Sequence, residues 1–181
     1  MAASRAFIHV GPSPLITSRL ILLPCSLTAA MALWGCSRQA ERLFGARLPD
    51  GWPTPDLREF LPEYIHKLQA DSSMMGWGIW IMIRASDPVV IGDIGFKGKP
   101  DSQGMVDIGY GVLSHFQQQG YATEAAETLV EWALAQPDVR RVIAECLPHN
   151  LASIRVLEKI GMHRTGHTQD GLLTWERRRV G

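Results

Sequence analysis

The stretch Gln117-Gln118-Gln119-Gly120-Tyr121-Ala122-Thr123-Glu124-Ala125 constrains the fold more than any other, because it joins a strand-like run to a helix-like run. Upstream, Val106-Asp107-Ile108-Gly109-Tyr110-Gly111-Val112-Leu113 combines β-branched and aromatic residues with two glycines, as in a strand that bends or is closely approached by other backbone. Downstream, Ala122, Ala125, Ala126, Leu129, Val130 and Ala133 gather on one side of a 3.6-residue spiral, while Glu124, Glu127 and Glu131 lie largely elsewhere. The order is strand, polar turn, amphipathic helix.

A helix that opens at a glycine, with small residues beside it, leaves its first backbone N–H groups unpaired and within reach of an anion. Phosphate is the natural guest. Neither common nucleotide loop is present: the segment lacks Gly-x-x-x-x-Gly-Lys-Ser/Thr and lacks the three spaced glycines of the dinucleotide fingerprint. It reads instead Gln117-x-x-Gly120-x-Ala122. A second organised stretch, Arg141 to Met162, reads as a short apolar strand, a turn through Pro148, an N-cap at Asn150, and a helix with Lys159 in its last turn and Gly161 as its stop.

The rest of the chain supplies a sheet. Leu20-Ile21-Leu22-Leu23 is the first expected strand, followed by a helix from about Leu27 carrying Ala30, Met31, Leu33 and Trp34. Arg47 to Pro55, with Pro49, Gly51, Trp52 and Pro53, is a loop. Asp56-Leu57-Arg58-Glu59 is a capping-box pattern opening a helix that reaches Ala70, and Pro62 should kink or split it. The apolar runs Trp77–Ile83 and Val89–Phe96 are two strands around a turn, and Met105–Leu113 makes three antiparallel strands with them. A closing pair is expected at Met162–Thr168 and Leu172–Arg177, turning at Gly171. Residues 1–15 read as a flexible lead-in to one domain over 16–181, long enough to bury about 70% of its unfolded surface.

Lys plus Arg equals Asp plus Glu at 18 each, so no overall charge drives the chain toward nucleic acid or an anionic membrane. Leu20 to Cys36 is interrupted by Pro24, Ser26 and Thr28 and falls short of the ~20 apolar residues that a span needs. The cysteines Cys25, Cys36 and Cys146 form no Cys-x-x-Cys pair, which fits a reducing, cytoplasmic setting without a disulfide framework or bound metal. Cys146 reads as a buried small apolar residue.

Together the two motifs resemble those of the GNAT acetyltransferase superfamily. Gln117-x-x-Gly120-x-Ala122 resembles that family's acyl-coenzyme A pyrophosphate loop, Gln/Arg-x-x-Gly-x-Gly/Ala. Asn150-x-x-Ser153 followed by Leu157-Glu158-Lys159-Ile160-Gly161-Met162 resembles its Asn-x-x-Ser…Leu-Glu-Lys-x-Gly-Phe signature, with Met162 in place of Phe. Thr17-Ser18-Arg19-Leu20-Ile21-Leu22 is similar to the opening of the Rim-type ribosomal-protein N-acetyltransferases, and the resemblance runs from about Ile16 to Arg178. It implies an α/β (α+β) fold: a mixed, mostly antiparallel central sheet flanked by helices, whose fourth and fifth strands splay apart to admit the coenzyme.

The resemblance further implies direct transfer of an acetyl group from acetyl-coenzyme A, the co-substrate, to a primary amine, either a peptide or protein α-amino group or a small amine. A non-catalytic acyl-coenzyme A sensor is the alternative. The implied cofactor contacts are the backbone and side chains of Gln117, Gln118, Gln119, Gly120, Tyr121, Ala122 and Thr123 around the pyrophosphate, the strand edge at Val112 and Leu113 along the pantetheine, and Asn150 and Ser153. An α-amine with pKa about 7.7–8.0 needs less help from a base than a lysine near 10.4. Asp107 and Glu145 are the candidate bases; some members of the family use a tyrosine further along the same helix as the acid, and since Val156-Leu157-Glu158-Lys159 holds none, the resemblance leaves Ser153, or simple positioning with solvent as the acid, to protonate the departing thiolate. The loop holding Trp52 is expected to shape the acceptor site. From Gly35 to Pro55, Glu41 and Asp50 are outnumbered by Arg38, Arg42 and Arg47, which mildly disfavours a polycation. An exposed sheet edge suits a homodimer.

Overall fold

The computed structural model describes residues 11–35 and 37–180; what was expected of residues 1–10 and of Cys36 lies outside the described residues. The elements are β1 (Leu15–Ile16), β2 (Leu20–Pro24), α1 (Leu27–Gly35), α2 (Ser37–Phe44), α3 (Pro55–Ala70), β3 (Ile79–Arg84), β4 (Val89–Phe96), β5 (Met105–Val112), α4 (Tyr121–Ala135), β6 (Arg141–Cys146), α5 (Leu151–Lys159), β7 (His163–His167) and β8 (Leu173–Arg178). The strands form one sheet in the order β1-β2-β3-β4-β5-β6-β8-β7. Every neighbouring pair is antiparallel except β5 and β6. A parallel pair cannot be joined by a tight turn, and α4 is the crossover that joins this one. The fold is the mixed, mostly antiparallel α/β architecture expected, with its fourth and fifth core strands at β5 and β6 because the short β1 precedes the first of them.

Two apolar layers hold the sheet, one on each face, and β3 shows why its sequence is an unbroken apolar run. Trp80 and Met82 point into the layer under α4, while Ile79, Ile81 and Ile83 point into the layer under α1 and α3. On the first face Ala125, Ala126, Leu129, Val130 and Ala133 of α4 are fully buried, the stripe that the 3.6-residue spacing requires. Burying one such leucine contributes about 2–3 kcal/mol. On the second face Leu57, Leu61, Tyr64 and Leu68 of α3 pack with Ala30 and Leu33 of α1. The Tyr64 hydroxyl donates to the Cys25 carbonyl at 2.7 Å, so the one polar atom of that ring is satisfied inside the layer.

Four local expectations change. Leu15, placed in the lead-in, pairs with Leu22 in β1. α3 starts at Pro55, not after Asp56: the Thr54 hydroxyl caps it, accepting from the Leu57 N–H at 3.3 Å, and Pro55 has the φ that a first helical position wants. Pro62 does not split α3, because it lies on the exposed side, where water can take the Arg58 carbonyl that has lost its partner. α2, to which the sequence pattern assigns no element, is a polar helix anchored by buried Ala40 and Phe44 four residues apart. Met31 and Trp34 of α1 are 52% and 55% exposed, so only part of that apolar run enters the core.

Candidate functional site

β5 and β6 pair only from Met105↔Arg141 to Ile108↔Ala144. Beyond that point Gly109 to Val112 stay with β4, opposite Gly95 to Gly92. Glu145 and Cys146 stay with β8, opposite Thr174 and Leu173. The two parallel strands therefore part, and the separation opens a cleft of about 310 Å³ lined by Tyr110, Glu145, Cys146, Asn150 and Ser153 among others. The Leu113 N–H donates inward to the Ile91 carbonyl at 2.9 Å. By alternation, the backbone groups of Tyr110 and Val112 face the open edge. Of the two residues expected along this edge, Val112 presents it and Leu113 is committed to β4.

At the end of β5 the chain makes a single 3₁₀ turn, Ser114–Phe116, then the Gln117–Gly120 loop. Gln117 closes the loop by donating its side-chain amide to the Val112 carbonyl at 2.8 Å, and Gln119 donates to the His115 carbonyl at 3.1 Å. Gln118 (φ 61°) and Gly120 (φ 83°) are both left-handed, and the backbone N–H groups of Gln118, Gln119 and Gly120 donate to no backbone carbonyl among the described residues. Gly120 is the N-cap of α4 and contributes no side-chain hydrogen bond, so Tyr121, Ala122 and Thr123 head the helix with open N–H groups.

The loop is braced from far away in sequence. Glu124, in the first turn of α4, accepts from the Thr17 hydroxyl, the Ser18 hydroxyl at 3.1 Å, the Arg19 N–H at 3.0 Å and Arg19 Nε at 2.7 Å. Arg19 also donates to the Gln119 carbonyl at 2.8 Å, and its guanidinium lies 4.6 Å from the centre of the Tyr121 ring. Partial burial pushes the Glu124 carboxyl up, but the donors from Thr17 and Arg19 outweigh it and hold the group below its ordinary range. Thr17-Ser18-Arg19 is thus a clamp on the helix start.

Across the cleft Asn150 caps α5, its side-chain oxygen accepting from the Ser153 N–H at 3.1 Å. Its amide N–H groups have no hydrogen-bond partner among the described residues. The half-buried Ser153 hydroxyl lines the cleft with no hydrogen-bond partner among the described residues. The Tyr110 hydroxyl donates to the Ser153 carbonyl at 3.4 Å, and burial pushes its phenol up to about 12, so it stays protonated. Tyr110 was not singled out from sequence; its only signal was an aromatic residue between two glycines.

The two candidate bases meet, but over a third residue. Lys97 Nζ forms an ion pair with Asp107 and lies 3.3 Å from Glu145. Burial raises the Asp107 carboxyl and Lys97 offsets this in part, while Asp107 Oδ1 is buried without a partner among the described residues. His115 and His149 are exposed. On the face toward α1 and α3, Trp52 is 5% exposed and donates its indole N–H to Asp93 Oδ1 at 3.2 Å. Burial holds the Asp93 carboxyl up at about 6, against the opposing Trp52 bond and with help from Asp56. Trp52 is therefore both a packing anchor and a polar contact. Among the described residues no group of three or more His, Cys, Asp or Glu is gathered for a metal ion, and no helix is long and apolar enough to cross a membrane.

Residues 19–163 match the family described as an acetyltransferase (GNAT) domain. The Bacillus subtilis protein named "Uncharacterized N-acetyltransferase YjdG" is 33% identical over 145 residues, 80% of this chain and 86% of its own length. Among solved structures, the ribosomal L7/L12 alpha-N-protein acetyltransferase RimL in complex with coenzyme A superposes with a TM-score of 0.65 at 18% identity, over 92% of this chain and 98% of that one. The microcin C7 self-immunity acetyltransferase MccE, in complex with acetyl-coenzyme A and AMP, gives 0.64 at 17% identity over 94% and 99%. At those identities the structural likeness is one of fold.

Proposed function

This chain belongs to the GNAT acetyltransferase family, and on that premise we propose that it moves the acetyl group of acetyl-coenzyme A onto a primary amine, a peptide or protein α-amino group or a small amine. The observation that carries the reading is the uncapped, left-handed start of α4 standing beside the parting of β5 and β6. One supplies fixed donors for a pyrophosphate, the other a free strand edge for an amide-bearing arm. These residues fit acetyl-coenzyme A, which supplies an activated thioester when bound.

The chain's own part divides into three tasks. The N–H groups from Gln118 to Thr123 and the Thr123 hydroxyl hold the phosphates, while Gln117 and Gln119 hold the loop itself by bonding to its carbonyls. The Val112 edge and the Asn150 amide orient the pantetheine, and the Ser153 hydroxyl, which lines the cleft, is the proton donor assigned to the departing thiolate. The amine must also lose a proton. Asp107 and Glu145 were the sequence candidates for that step; their shared ion pairs with Lys97 fit a brace across the splayed strands better than a proton acceptor.

The test is coenzyme A release by the purified chain from acetyl-coenzyme A with free-N-terminal peptides, blocked lysine peptides, polyamines and aminoglycosides. Amine-dependent release is expected, with a fall of about 10–100-fold in kcat for Ser153→Ala and unchanged coenzyme A affinity. Binding without any amine-dependent release would replace transfer with the sensor reading.

A further inference from the structure

Among the described residues, Asp93 is a carboxylate of the sheet interior with no cationic partner. It sits in β4 between buried Gly92 and Ile94, on the face toward α1 and α3. Its oxygen Oδ1 takes the Trp52 N–H, and Oδ2 has no partner among the described residues. The titratable groups that face it are Asp56 of α3 and the Cys25 thiol at the end of β2, itself pushed up by burial and by Asp93. Neither brings positive charge. A half-buried carboxylate in such a setting costs free energy, and above the pH at which it is protonated the cost is offset when a cation arrives. Asp107 and Glu145 differ here, because Lys97 already answers both.

Register places this group next to the cleft. Asp93 is opposite Gly111, and Gly95 opposite Gly109, so these four residues share one face. A Cβ built at Gly109 or Gly111 would meet no atom within 4 Å. The surface of β5 between Asp93 and the open edge is therefore a bare floor. With strands about 4.8 Å apart, Asp93 stands one strand from that edge. Trp52 is fixed against Phe44, the rings 6.4 Å apart and near perpendicular, so the indole that orients Asp93 is itself held.

We propose that Asp93 is the residue that receives the acceptor's protonated amine, Oδ2 accepting from the ammonium while Trp52 holds Oδ1, and that the floor at Gly109 and Gly111 is the amine's path to the edge of β5. The inference rests on the acetyltransferase reading and names the class that this site selects: a primary alkylammonium. In the step it serves, the ammonium gives one proton to Asp93 Oδ2. The freed nitrogen pair bonds to the thioester carbonyl carbon, the C–S bond breaks with its electrons going to sulfur, and the second nitrogen proton passes to the thiolate. Asp93 then returns its proton to solvent, leaving an amide and free coenzyme A.

The experiment compares wild type, Asp93→Asn and Gly111→Val in full-length form, measuring coenzyme A affinity by calorimetry and amine-dependent thiol release from pH 5 to 9. Asp93→Asn should lose about 100-fold or more in kcat/KM and any acid limb near pH 6, with coenzyme A affinity intact. Gly111→Val adds bulk where nothing stands, so it should fold, bind coenzyme A normally and raise KM for the amine about tenfold or more. An active wild type matched by Asp93→Asn in rate and pH profile overturns the assignment of Asp93 alone. A wild type that binds no coenzyme A, or binds it and turns over none of these amines, overturns this inference together with the reading beneath it.

Discussion

Gly120→Ala tests the loop with the smallest change available. Gly120 has φ 83° and ψ 1°, a conformation that an L side chain reaches at a cost of roughly 1–2 kcal/mol. The new Cβ would lie 3.3 Å from an Arg19 guanidinium nitrogen. That nitrogen is no loose end: Arg19 is bonded to Glu124 and to the Gln119 carbonyl, so giving way weakens about one charge-assisted hydrogen bond, on the order of 0.5–1 kcal/mol at this exposed site. The sum is about 2 kcal/mol. At about 2–4 °C per kcal/mol for a chain of this size, the melting temperature falls by about 4–8 °C. The ligand effect should be of comparable size, because tilting the N–H groups at the head of α4 removes part of an anion contact: coenzyme A should bind about tenfold more weakly or worse, equivalent to about 1.4 kcal/mol. Urea unfolding and calorimetric titration read the two quantities separately. A variant with wild-type stability and wild-type coenzyme A affinity would refute the claim that this left-handed residue shapes the phosphate site.

Leu129→Ala removes a fully buried side chain from the layer under α4 and should cost about 2–5 kcal/mol in urea unfolding, leaving a folded but weakened chain. Glu124→Ala breaks the clamp from Thr17, Ser18 and Arg19, and should cost about 1–2 kcal/mol and weaken coenzyme A binding. Because the Glu124 carboxyl is held below its unfolded value, its contribution is present above about pH 4.3 and lost as pH falls through the folded value, so wild type and variant should converge in acid unfolding. Asp93 runs the other way: its carboxyl is held up at about 6, so the folded chain binds the extra proton and loses stability as pH rises from about 4 to 6. Asp93→Asn, whose side-chain oxygen can still accept from Trp52, should therefore be more stable than wild type above pH 6 in thermal melts, and no more stable near pH 4.

What could be read from sequence was what repeats locally. The α4 stripe of Ala125, Leu129, Val130 and Ala133 has a helical period, and β3 is a short, β-branched apolar run of the length and composition of a strand buried on both faces. The loop from Gln117 to Gly120 and the Asn150 cap carry their chemistry in adjacent residues. α2 escaped because Ala40 and Phe44 are the buried members of a polar octet, too few to show a period. The Thr54 cap is hidden in the sequence because Asp56-Leu57-Arg58-Glu59, two residues later, has a capping-box pattern of its own. Neither the Arg19 clamp on Glu124 nor the Trp52 bond to Asp93 has a local signature: the partners lie 105 and 41 residues apart, and only the sheet brings them together. Asp93 alone, an acid within Ile91-Gly92-Asp93-Ile94, was the available hint.

The most direct measurement is the mass of each acceptor after incubation with the chain and acetyl-coenzyme A. One acetyl group on the amine nitrogen of at least one primary amine, formed in step with free coenzyme A and abolished when that amine is blocked, is the predicted result. Coenzyme A released at the same slow rate with and without every amine, and no acceptor gaining mass, would contradict transfer.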